Sequence, residues 1–359
     1  MTDNEPGYKE RAELIKAIEK KLDSPLVTYV TSDRVNLPQL MIADDAIAPI
    51  HDHLSNIGRR GRVNLFLYTR GGVMMSSFRI VKLIREFCDS FHVLVPFRAH
   101  SGGTQICLGA DGLVLTRMSE LGPVDPSVTN DFNPVDKLNP KRRVPISVED
   151  VDAFLDLAKE KGGLVSENSK LEVFKILTSQ VDAMALGNVN RVYAQVRFLV
   201  DKLLTLHLDK DKEAAKIEKI KKALTEEYTH DYTITRDEAK LIGLPVAAPD
   251  SSLEDLILKL HKCYSDALKL EIPFNPDAIL GTTASSDVDL RMGFIESSVK
   301  SYVYVYAANL SRPTVQPVPT QIQGVPAPVL VSPQPMSMPV TVRIKGGGWM
   351  NLIGAPTGA

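Results

Sequence analysis

Two apolar segments in the first third of the chain each end in a glycine-rich turn. The first, Val63–Tyr68, runs into Thr-Arg-Gly71-Gly72, and the second, Phe91–Phe97, runs into Arg-Ala-His-Ser101-Gly-Gly. A near-continuous apolar run of this length is typical of a strand that is buried on both faces of a parallel sheet. In open α/β sheets, ligands bind at the carboxyl ends of such strands. The pattern therefore predicts that a Gly-Gly turn and a Ser-Gly-Gly turn lie side by side at one edge of a sheet.

Strands and amphipathic helices alternate on both sides of these turns. Apolar positions at helical spacing predict helices over Tyr8–Leu22, Asp44–Asn56 (with Asp44 or Asp45 as the N-cap), Met74–Phe87 and Ser101–Leu108. Short β-branched runs predict strands over Leu26–Thr31 and Gly112–Thr116 in addition to the two above. Because such alternation gives right-handed parallel crossovers, we predict an α/β fold with a largely parallel sheet.

The chain then becomes mainly helical. We predict helices from Ser147 to about Lys161, from Ser166 or Glu167 to Leu208 with a break near Gly187, over Lys210–Glu227, over Arg236–Ile242 and over Leu253–Leu270. A late strand is predicted over Tyr302–Tyr306. The predicted helix from Ser166 or Glu167 to Leu208 is longer than a small core needs, which indicates an arm for oligomerisation or a lid.

The composition divides the chain into three regions. Residues 1–24 form an N-terminal amphipathic helix, residues 25–310 form the α/β domain with its helical insertion at about 147–228, and residues 311–359 form a proline-rich linker and tail. Prolines recur from Pro313 to Pro339 and predict a polyproline-type segment that binds a partner or serves as a spacer. The end of the tail, with Trp349, is interpreted either as a floppy terminus or as a short docking peptide.

Charge and cysteine content exclude several functions. A net charge of −2 favours no nucleic-acid or membrane partner. Three cysteines without a CxxC pair indicate neither a disulfide framework nor a metal site, and we predict no metal. The start of the chain has no apolar signal region, and no run of apolar residues is long enough to span a membrane, so we predict a cytoplasmic protein.

Ser101 is the sharpest candidate for chemistry. A serine between a strand and a helix, followed by two glycines, has the layout of a nucleophile with backbone amides beside it. The N–H of Gly102 and an N–H of the Gly71-Gly72 turn would then stabilise a developing oxyanion. The alternative is that Ser101 is only the N-cap of the following helix. Arg70 and Arg98 flank this position and are candidates for binding a substrate carboxylate or for a subunit contact.

A serine nucleophile needs a base, and several residues are candidates. The adjacent pair His230-Asp231 precedes a short helix, while Lys137 and Lys141 lie in an irregular segment and would reach in from a loop. A lysine with a lowered pKa can serve as the base of a serine. The other histidines are interpreted as structural: His100 is adjacent to the serine, His51 and His53 are taken as surface residues, and His92 as a core residue, with His207 and His261 on helices.

Six blocks of the sequence resemble the serine dehydrogenase proteinase family, a branch of the Clp-protease/crotonase superfamily related to signal peptide peptidase A. They are LFLYTRGG, VPFRAHSGGTQICLGAD, SELGPVDP, ISVEDV, GNVNRVYAQVR and THDYTITRDEAKLIGLPV, in the order of the family, within about Leu26–Tyr306. The resemblance implies a ClpP/crotonase-like spiral of β-β-α units with long added helices, with residues 25–310 as a serine peptidase domain. It implies Ser101 as the nucleophile, Gly72 and Gly102 as the oxyanion hole, and ring or stacked homo-oligomers that act on a peptide or protein substrate.

The same resemblance bears on the base. Asp231 matches the position of the Clp-type aspartate and His230 precedes it, but the Clp-type histidine position after the serine-bearing helix, at Leu121–Pro126, contains no histidine. In one branch related to signal peptide peptidase A, a lysine follows the serine by a spacing that points to Lys141. The N-terminal membrane anchor of some family members is absent from this sequence.

Three functions follow as hypotheses. The first is a serine peptidase that hydrolyses peptides or unfolded segments. The second is a crotonase-type acyl-CoA enzyme, which would not need Ser101, and the third is a catalytically silent oligomeric scaffold. The sequence contains no GxGxxG fingerprint after a strand, no pyridoxal-lysine motif and no P-loop, so we predict no cofactor and place any unfoldase on a separate chain.

Overall fold

The computed structural model describes residues 7–124, 127–128, 131–227, 232–312, 318–320, 329–331 and 339–353. Helices and strands alternate in its N-terminal part. In chain order the elements are α1 (Tyr8–Leu22), β1 (Leu26–Thr31), a 3₁₀ turn (Asp44–Ala46), α2 (Ile47–Ile57), β2 (Arg60–Tyr68), α3 (Met74–Glu86), β3 (Cys88–Val95), β4 (Arg98–Ala99), α4 (Gly102–Leu108), β5 (Gly112–Leu115) and β6 (Glu120–Leu121).

Helices dominate the middle of the chain and strands its end. The remaining elements are β7 (Ser127–Val128), β8 (Ile146–Ser147), α5 (Val148–Asp156) with a π-turn (Leu157–Lys161), α6 (Glu167–Gln180), α7 (Ala183–Leu204), α8 (Ala214–Lys222) with a π-turn (Ala223–Glu227), β9 (Ile234–Thr235), α9 (Arg236–Ile242), β10 (Val246–Ala247), α10 (Ser251–Leu268), α11 (Pro276–Leu280), β11 (Ser285–Glu296), β12 (Ser301–Ser311), β13 (Val318–Thr320), β14 (Val329–Val331) and β15 (Thr341–Ile353).

An eight-stranded sheet in the order β10-β5-β3-β2-β1-β11-β12-β15 lies at the centre of the described residues. The first five strands are parallel, and the last three join them antiparallel through β1 and β11. The predicted α/β class with a largely parallel core and long added helices is confirmed. The unit β3-β4-α4, in which a short strand leaves the main sheet before a helix, has the predicted β-β-α order.

Both faces of the sheet are covered, which explains the continuous apolar runs. Side chains alternate between faces along a strand. Leu65 and Leu67 therefore join the core with α2 and α3, whereas Phe66 joins the core with α1 and α10. The whole of β1 is buried.

A buried ion pair fixes α1 to the sheet. Arg11 donates from Nε and a terminal nitrogen to the two carboxylate oxygens of Glu296, at 2.8 Å each, and both side chains are about fully buried. The hydroxyls of Tyr264 and Ser301 also donate to this carboxylate, at 2.7 and 2.6 Å. The N-terminal helix is thus part of the core rather than a separate arm.

Several sequence predictions need correction. The predicted break in the long helix lies at Val181 and not at Gly187, because Val181 is extended and Asp182 caps the next helix by accepting from the Met184 amide. The sequence analysis did not predict strand β11, because the first half of the strand, Ser-Ser-Asp-Val-Asp-Leu, is mainly polar. The predicted helix over Lys210–Glu227 begins only at Ala214.

The C-terminal tail also needs correction. Residues 341–353 are not a loose end but the edge strand β15, which pairs with β12 over its whole length. The proline-rich part at 313–317, 321–328 and 332–338 lies outside the described residues. Among the residues that the structure describes, no helix is long and apolar enough to cross a membrane.

A second, smaller sheet positions the candidate site. It contains β4, β6 and β9, with Arg98 opposite Glu120 and Glu120 opposite Thr235. Thr69, directly after β2, forms a parallel bridge with Ala99. This bridge confirms the predicted adjacency of the two glycine-rich turns.

Candidate active site

Ser101 lies in a strained backbone conformation between β4 and α4. Its φ is 47° and its ψ is −111°. The other described non-glycine residues with positive φ include Asp23 and Lys269, which have the ordinary left-handed conformation of helix C-caps. A backbone conformation outside the favoured regions of φ and ψ costs on the order of 1–3 kcal/mol, and residues with such strain cluster at functional sites. A sharp, strained strand-to-helix turn is how a nucleophile elbow exposes its hydroxyl.

The Ser101 side chain does not serve as an N-cap. It makes no capping hydrogen bond to the amides of α4, although Ser101 occupies the N-cap position. The simplest structural role for a serine at this position is therefore absent. Its hydroxyl is available to a ligand in the adjoining pocket.

The Gly71-Gly72 turn lies directly against this elbow. Gly71 and Gly72 have φ values of 112° and 157°, which only glycine adopts readily. A Cβ atom on Gly102 would lie 3.1 Å from the Gly72 nitrogen and 2.7 Å from the Ser77 hydroxyl. Glycine is thus required because the two turns pack backbone to backbone.

Two backbone amides face this junction. The segment at Ile42 pairs with the turn: the Ile42 N–H donates to Gly71 O at 2.9 Å, and the Val73 N–H donates to Ile42 O at 2.8 Å. In this parallel bridge the N–H of Gly72 points away from Ile42. Within the described part of the chain, neither Gly72 N–H nor Gly102 N–H donates a hydrogen bond.

Asp33, which follows β1, connects the two strand ends. One carboxylate oxygen accepts from Arg70 Nε at 2.9 Å and from Arg98 at 2.8 Å, and the other accepts from the Tyr68 hydroxyl at 2.8 Å. Burial alone would raise the pKa of Asp33, but the hydrogen bonds from Tyr68, Arg70 and Arg98 lower it below its ordinary value. The two arginines predicted as carboxylate ligands thus bind a carboxylate of their own chain.

His100 is held between two charged groups. Arg70 approaches its Nδ1 at 3.3 Å, and its Nε2 lies 3.1 Å from a Glu120 carboxylate oxygen. Because a guanidinium only donates, Nδ1 is the acceptor and Nε2 carries the hydrogen that faces Glu120. Both ring nitrogens therefore face charged side chains.

A pocket of about 280 Å³ opens in front of Ser101. It is lined by Gln39, Arg70, His100, Ser101, Glu120, Gly122, Pro123, Tyr232 and Thr233. Tyr232 and Thr233 reach it because β9, which follows them, pairs with β6. His230 and Asp231 lie outside the described residues, but the two residues that follow them line the pocket of Ser101.

The other candidate bases lie elsewhere. Lys141 and Lys137 are exposed on a loop that closes on itself through the Val135–Arg143 bridge, and neither lines the pocket. The prediction that His53 is a surface residue is wrong. Its ring is fully buried beneath β11, with Nδ1 at 3.0 Å from the Ser297 hydroxyl and Nε2 at 3.1 Å from the Ile295 carbonyl oxygen.

Sequence reasoning missed Asp33, Glu120 and Ile42 as parts of the site. Asp33 was detectable in principle, because it is a charged residue just after a predicted strand, where α/β proteins place functional groups. Glu120 and Ile42 offered no local signal. Their positions depend on pairing with β4 and with the Gly71-Gly72 turn.

Comparisons with known proteins agree with this geometry. The family model of ClpP-like SDH-type serine proteinase matches residues 8–159, which include both glycine turns and Ser101. An uncharacterized protein of Methanocaldococcus jannaschii is 27% identical over 209 residues, which are 58% of this chain and 60% of that protein. The chain therefore spans less than two thirds of the length of this relative.

Solved structures of low similarity were also found. A mutant of the 1510-N membrane-bound stomatin-specific protease has a TM-score of 0.36 at 13% identity, covering 60% of this chain and 79% of that one. ClpP1 from Listeria monocytogenes has a TM-score of 0.35 at 12% identity, covering 66% and 99%. Residues 8–159 of this chain, with the two glycine turns and the serine between β4 and α4, are thus similar to the ClpP-like SDH-type serine proteinases.

Proposed function

We propose that this protein is a serine peptidase that hydrolyses peptides or unfolded segments through Ser101. The observation that carries the proposal is the strained, non-capping conformation of Ser101 beside the Gly71-Gly72 turn. Strain of this kind is maintained only where the surrounding structure enforces it. Here two backbones in contact enforce it, at the mouth of a pocket.

The chemistry follows from this arrangement. As Ser101 Oγ attacks the carbonyl carbon of the scissile peptide bond, a base removes the hydroxyl proton. The N–H groups of Gly72 and Gly102 donate to the oxyanion of the tetrahedral intermediate. The protonated base then gives its proton to the leaving amine as the C–N bond breaks, and a water molecule releases the acyl group from Ser101 by the same steps.

We assign the base to the His230-Asp231 pair. The observation that supports this assignment is that Tyr232 and Thr233, which directly follow the pair in the sequence, line the pocket with Ser101. Lys141 is the alternative base, and it requires its exposed loop to move towards the pocket. We do not assign His100 as the base, because its ring lies between Arg70 and Glu120.

The substrate is an extended polypeptide. A pocket of about 280 Å³ holds a few side chains rather than a folded domain. Arg70, which is partly exposed at the pocket, retains donors beyond those that contact Asp33 and His100. Substrate residues with an acceptor next to the scissile bond would therefore be favoured. We propose a cytoplasmic location, as the composition predicts.

A homo-oligomer is also part of the proposal, and α5–α6 carries the evidence. An apolar groove of about 500 Å³ lies between these helices, and Leu171 and Phe174 of α6 are both more than half exposed. A helix with apolar residues on most of its circumference normally has a partner. We propose that a second copy of this chain covers the groove.

Charge complementarity favours a second copy over an unrelated partner. Asp152 and Asp156 of α5 are acidic neighbours, and partial burial together with the Asp156 carboxylate raises the pKa of Asp152. Lys159 and Lys170 line the groove itself. None of the four makes an ion pair with another described residue. In a two-fold pair, the acidic end of one copy meets the basic end of the other.

Variants at the candidate residues test the peptidase proposal. We expect Ser101→Ala to lower kcat for an unstructured peptide by roughly 10³-fold or more, and His230→Ala or Asp231→Ala to lower it by at least about 10²-fold. Lys141→Ala serves as the matched test of the alternative base and is expected to keep kcat within about threefold. Full peptidase activity of Ser101→Ala would refute Ser101 as the nucleophile, whereas turnover of an acyl-CoA thioester that does not need Ser101 would favour the crotonase-type alternative. No hydrolysis by the folded wild type would favour the silent scaffold.

A further inference from the structure

Trp349 of the edge strand β15 is partly buried against the core of the protein. It lies opposite Tyr304 in the β12–β15 pairing, with the two rings edge to face at 5.3 Å, and its ring is 6.0 Å from that of Tyr29 on β1. Its indole nitrogen is buried. The side chain thus packs against the core from a strand at the C-terminal end of the chain.

The strand that carries Trp349 contacts the segment that follows β1. Strand β15 touches the 3₁₀ turn Asp44–Ala46. Tyr29, Ile42 and Ala46 all belong to the apolar cluster against which Trp349 packs.

This segment in turn holds the Gly71-Gly72 turn. Ile42 is bonded on both sides, through its N–H to Gly71 O and through its carbonyl to the Val73 N–H. A Cβ atom on Gly72 would lie 2.7 Å from the Ile42 Cα atom, so the two backbones are in contact. Any displacement of Ile42 therefore changes the position of the Gly72 amide relative to Ser101.

We propose that Trp349 is a positioning residue for the oxyanion turn, so that the docked C-terminal strand, acting through the segment that contains Ile42 and the 3₁₀ turn Asp44–Ala46, keeps the Gly72 N–H in place beside Ser101. The role in catalysis rests on the proposed function, because it requires Gly72 to stabilise an oxyanion. The physical connection between Trp349 and the Gly71-Gly72 turn does not depend on the proposed function. Strand β15 contacts the 3₁₀ turn Asp44–Ala46, and Ile42 of the same segment is bonded to the Gly71-Gly72 turn, whether or not Ser101 reacts.

Hydrogen exchange measures that connection directly. The amides of Ile42 and Val73 report the two bonds that hold the turn. In Trp349→Ala of the full-length protein, we expect both amides to exchange at least about tenfold faster than in the wild type, while Trp349→Phe, which keeps an aromatic ring, stays within about threefold. Met350→Ala is the matched control, because Met350 is the next residue on β15 and its side chain faces the groove beside α10 and α11. Unchanged exchange at Ile42 and Val73 in Trp349→Ala would overturn the proposal.

Peptide hydrolysis provides the second readout. We expect Trp349→Ala to lower kcat on the order of tenfold with KM within about twofold, because a small displacement of a catalytic donor reduces kcat rather than ground-state binding. A Trp349→Ala protein whose Ile42 and Val73 amides exchange faster but whose kcat equals that of the wild type would also overturn the proposal. Failure of the proposed function would look different: the wild type itself would not hydrolyse peptides, and the exchange rates would still decide whether Trp349 holds the turn.

Discussion

Gly71 and Ser101 lie so close together that a Cβ atom added to Gly71 would be 2.9 Å from the Ser101 Cβ atom. The same added atom would be 2.8 Å from the His100 carbonyl oxygen. Real Cβ atoms do not approach backbone oxygens so closely, and a φ of 112° excludes most other residues as well. The side-by-side turns are therefore a geometric requirement that can be tested by substitution.

Gly71→Ala should separate the two turns. We expect kcat for peptide hydrolysis to fall by about 10²-fold, because the Gly72 amide and Ser101 would shift relative to each other. The matched control is Gly61→Ala, where an added Cβ meets no atom within 4 Å. An active Gly71→Ala protein would show that the contact does not define the site.

Ser101→Gly should be more stable than Ser101→Ala. Both variants lack the hydroxyl, but only glycine relieves the backbone strain at φ 47° and ψ −111°. Relief of about 1–3 kcal/mol, less up to about 1 kcal/mol of extra chain entropy in the unfolded state, leaves a net gain of about 1 kcal/mol. Urea unfolding of the two variants measures the difference. A less stable Ser101→Gly would contradict the strained conformation.

Arg11→Met should destabilise the protein strongly. It leaves Glu296 charged and buried, which typically costs about 3–5 kcal/mol. Lys16→Met on the same helix is the control, because the Lys16–Glu13 pair is exposed and is worth about 0–1 kcal/mol. Glu296→Gln, which keeps the hydrogen-bonding shape, should cost less than Arg11→Met. Equal free energies of unfolding for the Arg11 and Lys16 variants would refute this role for the ion pair.

His53 should make the protein sensitive to mild acid. Burial lowers its pKa from 6.5 to about 4 in the folded state. Above pH 6.5 the ring is neutral in both states, so it has no effect on stability. Between pH 6.5 and about 4 the unfolded chain takes up a proton that the folded protein does not, and stability falls by about 3 kcal/mol over this range.

The measurement for His53 is the free energy of unfolding against pH. We expect His53→Gln to have a shallower slope than the wild type between pH 6.5 and 4. His51→Gln is the control two residues away on the same helix, since His51 is exposed. Parallel curves for all three proteins would mean that His53 titrates normally.

The α5–α6 groove should mediate self-association. We expect Phe174→Asp to lower the oligomer mass measured by light scattering, since the exposed ring would be replaced by a charge in an apolar contact. The sharper test reverses charges: Asp152→Lys with Asp156→Lys should dissociate the oligomer. Adding Lys159→Glu and Lys170→Glu should restore it. A charge-reversed protein that stays associated would place the interface elsewhere.

The sequence predicted those helices and turns whose formation depends on residues close to one another in the chain. The helix Tyr8–Leu22 was predicted with its observed bounds, and Thr235 and Gly243 were correctly predicted as the ends of the helix Arg236–Ile242. Thr235 and Glu238 form a reciprocal capping box there, which depends on neighbouring residues alone. The two glycine turns were also predicted side by side, because parallel strands end at the same edge of a sheet.

Long-range pairing accounts for what the sequence did not reveal. Strand β11 has a polar sequence, and only its pairing with β1 and β12 identifies it as a strand. The glycine-rich β15 resembles a loose tail in sequence, and only the contact of Trp349 with Tyr29 shows that it packs on the core. The role of Asp33 depends on Arg70 and Arg98, which come from two different turns. His230 and Asp231 stay predictions, supported by the residues that follow them in the pocket.

Covalent labelling with a fluorophosphonate probe tests the central claim most directly. The probe reacts with a serine hydroxyl only where a base and an oxyanion site activate it. On the full-length protein, with intact mass and peptide mapping, we predict a single adduct on Ser101 that is absent from Ser101→Ala. A folded wild-type protein that forms no adduct, or forms it on another serine, would contradict Ser101 as the nucleophile.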